Sequence, residues 1–165
     1  MTEPIPIHRE PDWADRRNHP GYYSGILAKR MIAYAIDALA IMAIVGTAWA
    51  FLLVLGLFTL GLAWHLLLLP GLAVPLLYHS LLIAGPRSAT IGMRVMGIRV
   101  MSIAPLAAFA QGRPRPAQAV IQTVAFYGSV ALTGSLILLV ALFNERRRTL
   151  HDWLAETVTV NDIRP

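Results

Sequence analysis

The sequence contains no cysteine, which excludes disulfides, thiolate nucleophiles and any Cys-ligated metal. It is also short of charge. Only 14% of its 165 residues are Asp, Glu, Lys or Arg, against about 25% in soluble domains. No charged residue lies between Asp37 and Arg87, and none between Arg115 and Glu145. An apolar run of about 18 or more residues reads as a bilayer span, because about 20 helical residues cross the ~30 Å hydrocarbon core. With 56% apolar residues, the chain reads as an integral membrane protein. Other absences narrow the function. There is no GxxxxGK[ST] phosphate loop, no nucleic-acid recognition module despite the net charge of +5, and no Ser/His/Asp set at a common depth. No secretory signal pattern opens the chain, because the first apolar block is too long and lacks a small-residue cleavage site.

What is present is ordered along the chain. Residues 1–24 read as a polar, Pro-rich tail, with Tyr22 and Tyr23 placed as interfacial anchors. Residues 25–160 form one membrane domain, and 161–165 a second tail. The expected fold class is an all-α integral membrane protein. Two transmembrane helices are clear, at about 26–58 and 62–84, the second carrying Pro70 and Pro75. A third apolar block at 117–143 is either one span or a broken, re-entrant pair hinged near Gly128 to Gly134. The loop 85–116 contains "TIGMRVMGIRVM", a short interfacial helix followed by an extended piece, and "TVTV" near the end alternates like a strand.

Orientation follows from the basic residues. Arg9, Arg16, Arg17, Lys29 and Arg30 precede or open the first span, and Arg87, Arg94, Arg99, Arg113 and Arg115 occupy the 85–116 loop. The first hairpin has none. The positive-inside rule then puts the N-terminus and this loop in the cytoplasm. Arg146, Arg147 and Arg148 are candidates for lipid headgroups and orientation, and they conflict with a single crossing by the third block. A re-entrant block removes the conflict and lets "TVTV" reach "IRVM".

Asp37 is the sharpest feature. An acidic residue at a helix centre costs about 2.5–3.5 kcal/mol on insertion scales, so it needs a partner or water. Arg30 shares its helix face but lies about 10 Å away along the axis, so Arg30 is expected to snorkel outward and Asp37 to meet another segment. Asp37 is then either an ion or proton site or a buried carboxylate locking helix packing. His79, in "LLYHSLL", is either a neutral histidine bonded to a neighbouring helix or a proton relay with Asp37. Asp152 follows a histidine, but no further His and Asp ligands accompany it, so no metal and no cofactor is expected. It is expected to cap a turn or to pair with Arg30, Arg94 or Arg99, in a network of Arg30, Asp37, Arg94 and Asp152.

Three stretches, "RMIAYAID", "TIGMRVMGIRV" and "RRRTLHDWLAETVTV", together resemble the RDD family of bacterial membrane proteins. The family is named for one arginine and two aspartates, which correspond to Arg30, Asp37 and, in a motif similar to HDxxAxT, Asp152. The resemblance spans residues from about 22 to 160. Two positions depart from the family pattern: Met93 stands where a basic residue usually precedes Arg94, and Glu156 where glycine is usual. The resemblance implies an architecture more than an activity, with transport of unknown ligands suggested. Two functions are therefore expected as alternatives. One is a transport or ion-handling component acting as a homo-oligomer or in a larger membrane complex. The other is a non-enzymatic accessory or assembly subunit that binds other membrane proteins through its helices. The lipid bilayer is the expected partner in both, and nucleic acid in neither.

Overall fold

The computed structural model describes residues 20–103, 112–133 and 148–162. Arg146, Arg147, Gly134 and the rest of the third apolar block beyond Thr133 lie outside the described residues, as does most of the N-terminal tail.

Helix α1, Ile26–Phe58, is 33 residues long, about 50 Å. It begins after Gly25, whose φ of +64° turns the chain in a way that L side chains resist. Helix α2, Leu68–Ala84, returns antiparallel, with Pro75 inside it. The connection is a 3-10 turn, Leu62–Leu66. Two tryptophans fasten this hairpin: Trp49 Nε1 donates to the Leu67 carbonyl at 2.8 Å and Trp64 Nε1 to the Leu53 carbonyl at 3.3 Å. Trp64 lies across Gly56, where a Cβ would collide with the indole. These two segments, Ile26–Phe58 and Leu62–Ala84, are long and apolar enough to cross a membrane, and only 6% and 11% of their most apolar windows are buried. Their apolar side chains face outward, the reverse of a soluble core helix.

The packed core sits at one end of this hairpin. Helix α3, Ile91–Val95, follows α2 and is N-capped by Thr90, whose hydroxyl accepts from the Met93 amide. Strand β1, Ile98–Ser102, comes next, and helix α4, Pro116–Thr133, then packs along α2 and meets α1 at Tyr34. Helix α5, Leu150–Leu154, leads into strand β2, Thr157–Asn161. The strands pair antiparallel, from Ile98 opposite Asn161 to Ser102 opposite Thr157. A two-stranded ribbon is marginal alone, and here both its faces are covered. Ile98 packs with Ile26 and Ala33, Val100 with Ile83 and Ala119, and Met101, Val158 and Val160 with Tyr22 and Tyr23. Those tyrosines cover the ribbon rather than standing free as anchors.

The direction of α4 follows from two contacts. Gln122 and Arg30 bond opposite oxygens of Asp152, and Phe126 meets Tyr34 edge-on at 5.4 Å. Four residues separate each pair along its own helix, so α4 runs beside the first turns of α1 in the same direction. Its start also lies near α5, since Gln118 donates to the Ala155 carbonyl at 3.1 Å. Both described ends around the third apolar block, Pro116 and Arg148, therefore lie at the same end of the hairpin.

Candidate functional site

Two buried carboxylates organise that end of the molecule. Asp37 is 2% exposed and receives three donors from beyond its own helix. Tyr78 of α2 donates to Oδ1 at 2.7 Å, the Gly92 amide of α3 to Oδ1 at 2.8 Å, and the Thr90 hydroxyl to Oδ2 at 2.6 Å. The approach of α3 depends on Gly92, where a Cβ would run into the Ala33 carbonyl. Asp37 thus ties α1, α2 and α3 together through neutral donors, with no cation bonded to it among the described residues.

Asp152 is fully buried and joins a different set of elements. Oδ2 accepts from Arg30 Nη2 at 2.7 Å, from the Thr149 amide at 3.1 Å and from the Thr149 hydroxyl at 2.9 Å. Oδ1 accepts from Gln122 Nε2 at 3.0 Å. Thr149 and Asp152 form a capping box at the start of α5, which satisfies two otherwise orphaned amides. Burial works against the charge on Asp152, yet the Arg30 guanidinium and the Thr149 amide outweigh it and hold its carboxyl below the usual carboxylate range. The Thr149 hydroxyl has one hydrogen. With that hydrogen given to Asp152, His151 Nε2 carries the ring proton and donates to Thr149 Oγ1 at 2.8 Å. His151 Nδ1 is then a buried acceptor without a partner among the described residues. Burial drives His151 down to about 4 from 6.5, Asp152 opposing the shift and Arg30 adding to it.

The expected single network is therefore two separate centres, and Arg30 meets Asp152 rather than Asp37. Arg94 joins neither: its Nε donates to the Ala89 carbonyl at 2.9 Å, and it is exposed on α3. Arg99 lies 3.4 Å from Asp162. His79 Nδ1 is 3.1 Å from the Tyr127 hydroxyl of α4 and 3.2 Å from the Pro75 carbonyl. Its ring stacks beside Phe126, which meets His151 edge-on at 5.1 Å, so an aromatic column fills the space between the two centres. Arg148, expected at lipid headgroups, donates to the Thr157 and Asp152 carbonyls and lies over the Trp153 ring.

Several residues here were not singled out by sequence. Tyr78, Thr90, Gly92 and Gln122 gave no signal of their own, since nothing in local periodicity says which polar group will meet a distant carboxylate. Thr149 did give one, because Thr-x-x-Asp ahead of an apolar turn is a capping-box pattern. Asn161 is a further tie: its Oδ1 accepts from Lys29 Nζ at 2.7 Å and its Nδ2 donates to the Gly21 and Ser24 carbonyls at 3.0 Å. Among the described residues no group of three His, Asp or Glu could hold a metal ion.

An apolar helical hairpin capped at one end by a small polar platform, held by one arginine and two aspartates, defines a class of membrane-spanning protein. The model of the RDD family matches residues 25–156, most of the chain, and the protein belongs to that family. No curated protein and no solved structure matched it.

Proposed function

We propose that this protein is a non-enzymatic accessory or assembly subunit of the bacterial inner membrane, working as a homo-oligomer or within a larger membrane complex. The observation that carries the reading is the saturation of both carboxylates. Asp37 accepts three hydrogen bonds and Asp152 four, which favours a structural lock over a site that binds and releases a solute. The outward apolar faces of α1 and α2 are the surfaces that partner helices would cover, alongside lipid.

The placement in the bilayer is part of the same proposal. The part of α1 beyond Asp37, as far as Phe58, is about 30 Å long, the thickness of the hydrocarbon core. Asp37 then sits at the edge of the core, and the platform of α3, α5 and the β-ribbon stands in the interfacial layer. Lys29, Arg30, Arg87, Arg94, Arg113 and Arg148 all lie at this end, and the Thr59–Leu67 turn has no charged residue, which supports a cytoplasmic platform and N-terminus.

A transport component is the second reading, favoured by one observation: His79 and Tyr127 share a hydrogen bond beside the Tyr78–Asp37 contact, which sets two titratable side chains next to the buried carboxylate. Asp37→Asn separates the readings. The change replaces one acceptor oxygen by a donor, against about 1.5–3 kcal/mol for a hydrogen bond to a charged group. A lock loses thermal stability and co-purifying partners together. A transport site keeps its fold and assembly while solute flux fails. Native mass measured after gentle extraction, on wild type and Asp37→Asn, reads both outcomes.

A further inference from the structure

The arginines of the α2–α3–α4 region are the feature that the two carboxylate centres leave unused. Residues 38–144 contain no Asp or Glu, and among the described residues Arg87, Arg94 and Arg113 form no ion pair. Arg113 is fixed by two hydrogen bonds to the Ala84 carbonyl, Nε at 3.2 Å and Nη2 at 2.7 Å. Arg94 is fixed by its Nε on the Ala89 carbonyl. A guanidinium has five N–H donors, so each keeps donors for an anion while one edge is anchored on backbone. All three arginines are exposed. Beside them on α3, Ile91 and Val95 are 44% and 66% exposed.

The Gly92 amide bonds Asp37, so α3 lies at the level of that carboxylate, the edge of the hydrocarbon, and Tyr78 marks the same level on α2. Ile91, Arg94 and Val95 share one face of α3. Ala84, which holds Arg113, is farther out by about 9 Å of helix, just past a headgroup layer about 5–7 Å thick. Guanidinium groups beside apolar side chains at that boundary match an anionic amphiphile. An acidic protein would be complementary to the arginines but not to Ile91 and Val95.

We propose that Arg87, Arg94 and Arg113, with Ile91 and Val95 beside Arg94, form a seat for an anionic phospholipid, its phosphodiester on the guanidinium groups and its acyl chains along α3. The seat rests on the bilayer placement given above. The test uses the full-length protein extracted in mild detergent and equilibrated with an equal mixture of phosphatidylglycerol and phosphatidylcholine. Native mass spectrometry then reads the lipid retained by wild type, R94Q/R113Q, R87Q and I91S/V95S. Wild type is expected to retain phosphatidylglycerol selectively, with retention falling about tenfold or more in R94Q/R113Q and measurably in R87Q and I91S/V95S. R87Q touches no backbone carbonyl, so it reads the charge without disturbing the fold. Equal retention of the two lipids by wild type, or retention by R87Q and R94Q/R113Q equal to wild type, overturns the seat. Resistance of the same wild-type protein to carbonate extraction from membranes reads the bilayer placement independently, so failure of one is told from failure of the other.

Discussion

His151 makes the stability of the platform sensitive to mild acid, and the size of that effect can be worked out. The side chain is 5% exposed and faces Arg30, Asp152, Thr149 and the ring of Phe126. Its value is about 4 in the fold against 6.5 in the unfolded chain. Between those values the unfolded state binds more protons, so stability is full above about 6.5 and falls as pH drops towards 4. A fall of that size is worth about 3 kcal/mol, most of it lost by pH 4.5. Asp152 does not share this window. Its carboxyl is held below 3.8, so its contribution is present above that value and is lost only in stronger acid. The assay is the thermal midpoint in detergent micelles from pH 7.5 to 4.5, for wild type and His151→Phe, which keeps an aromatic ring against Phe126. Wild type should drop by about 5–10 °C more than the variant, taking about 2–4 °C per kcal/mol. Every other titrating group is common to both chains. Equal drops in the two would refute the neutral, buried assignment of His151.

Other substitutions test the joints of the platform. Glu156 has a φ of +51° at the turn into β2, so Glu156→Gly should stabilise by about 0.5–1 kcal/mol by relieving a left-handed residue, seen as a raised thermal midpoint. Gly92→Ala should cost about 1–3 kcal/mol, because its Cβ meets the Ala33 carbonyl and forces the Gly92 amide away from Asp37; an unchanged midpoint would contradict that packing. Arg30→Met alone leaves Asp152 buried beside an apolar side chain and should cost about 3–5 kcal/mol, whereas Arg30→Met with Asp152→Leu should cost less than the single change. A double variant worse than Arg30→Met would show that Gln122 and Thr149 need the carboxylate even without its arginine.

The parts legible in the sequence were those set by local patterns. The two spans followed from long uncharged runs, and the ribbon from the β-branched "TVTV". Asp152 could be expected to cap a turn because Thr149 stands three residues before it. Partner identities were not legible, since Asp37 meets groups 41, 53 and 55 residues away. Arg94 was expected at a carboxylate on charge alone, but α3 turns Gly92 inward and Arg94 outward, because only a residue without a side chain fits against Ala33. Depth was hidden too. A 33-residue helix exceeds what a bilayer needs, and hydropathy alone does not say which part is in excess.

Depth explains why a charged group can be retained in so apolar a helix. Lipid tails are as apolar as leucine, so helices in a bilayer gain little by burying apolar surface on one another, and polar contacts carry much of their mutual orientation. In the proposed placement at the edge of the hydrocarbon, Asp37 avoids most of the cost of mid-bilayer burial, and it orients α2 and α3 on α1 through Tyr78, Thr90 and Gly92. Asp152 does the same for the late segments, fixing α4 and α5 on α1 through Gln122, Thr149 and Arg30. Both carboxylates act on α1, within its first few turns, and neither touches the half of the hairpin beyond. That half is held instead by Trp49 on the Leu67 carbonyl and Trp64 over Gly56. The hairpin is therefore fastened at its two ends, with exposed apolar surface between them. A polar substitution midway, such as Ile44→Asn on that exposed face, should change association in the membrane while leaving the stability of the extracted protein within about 0.5 kcal/mol of wild type.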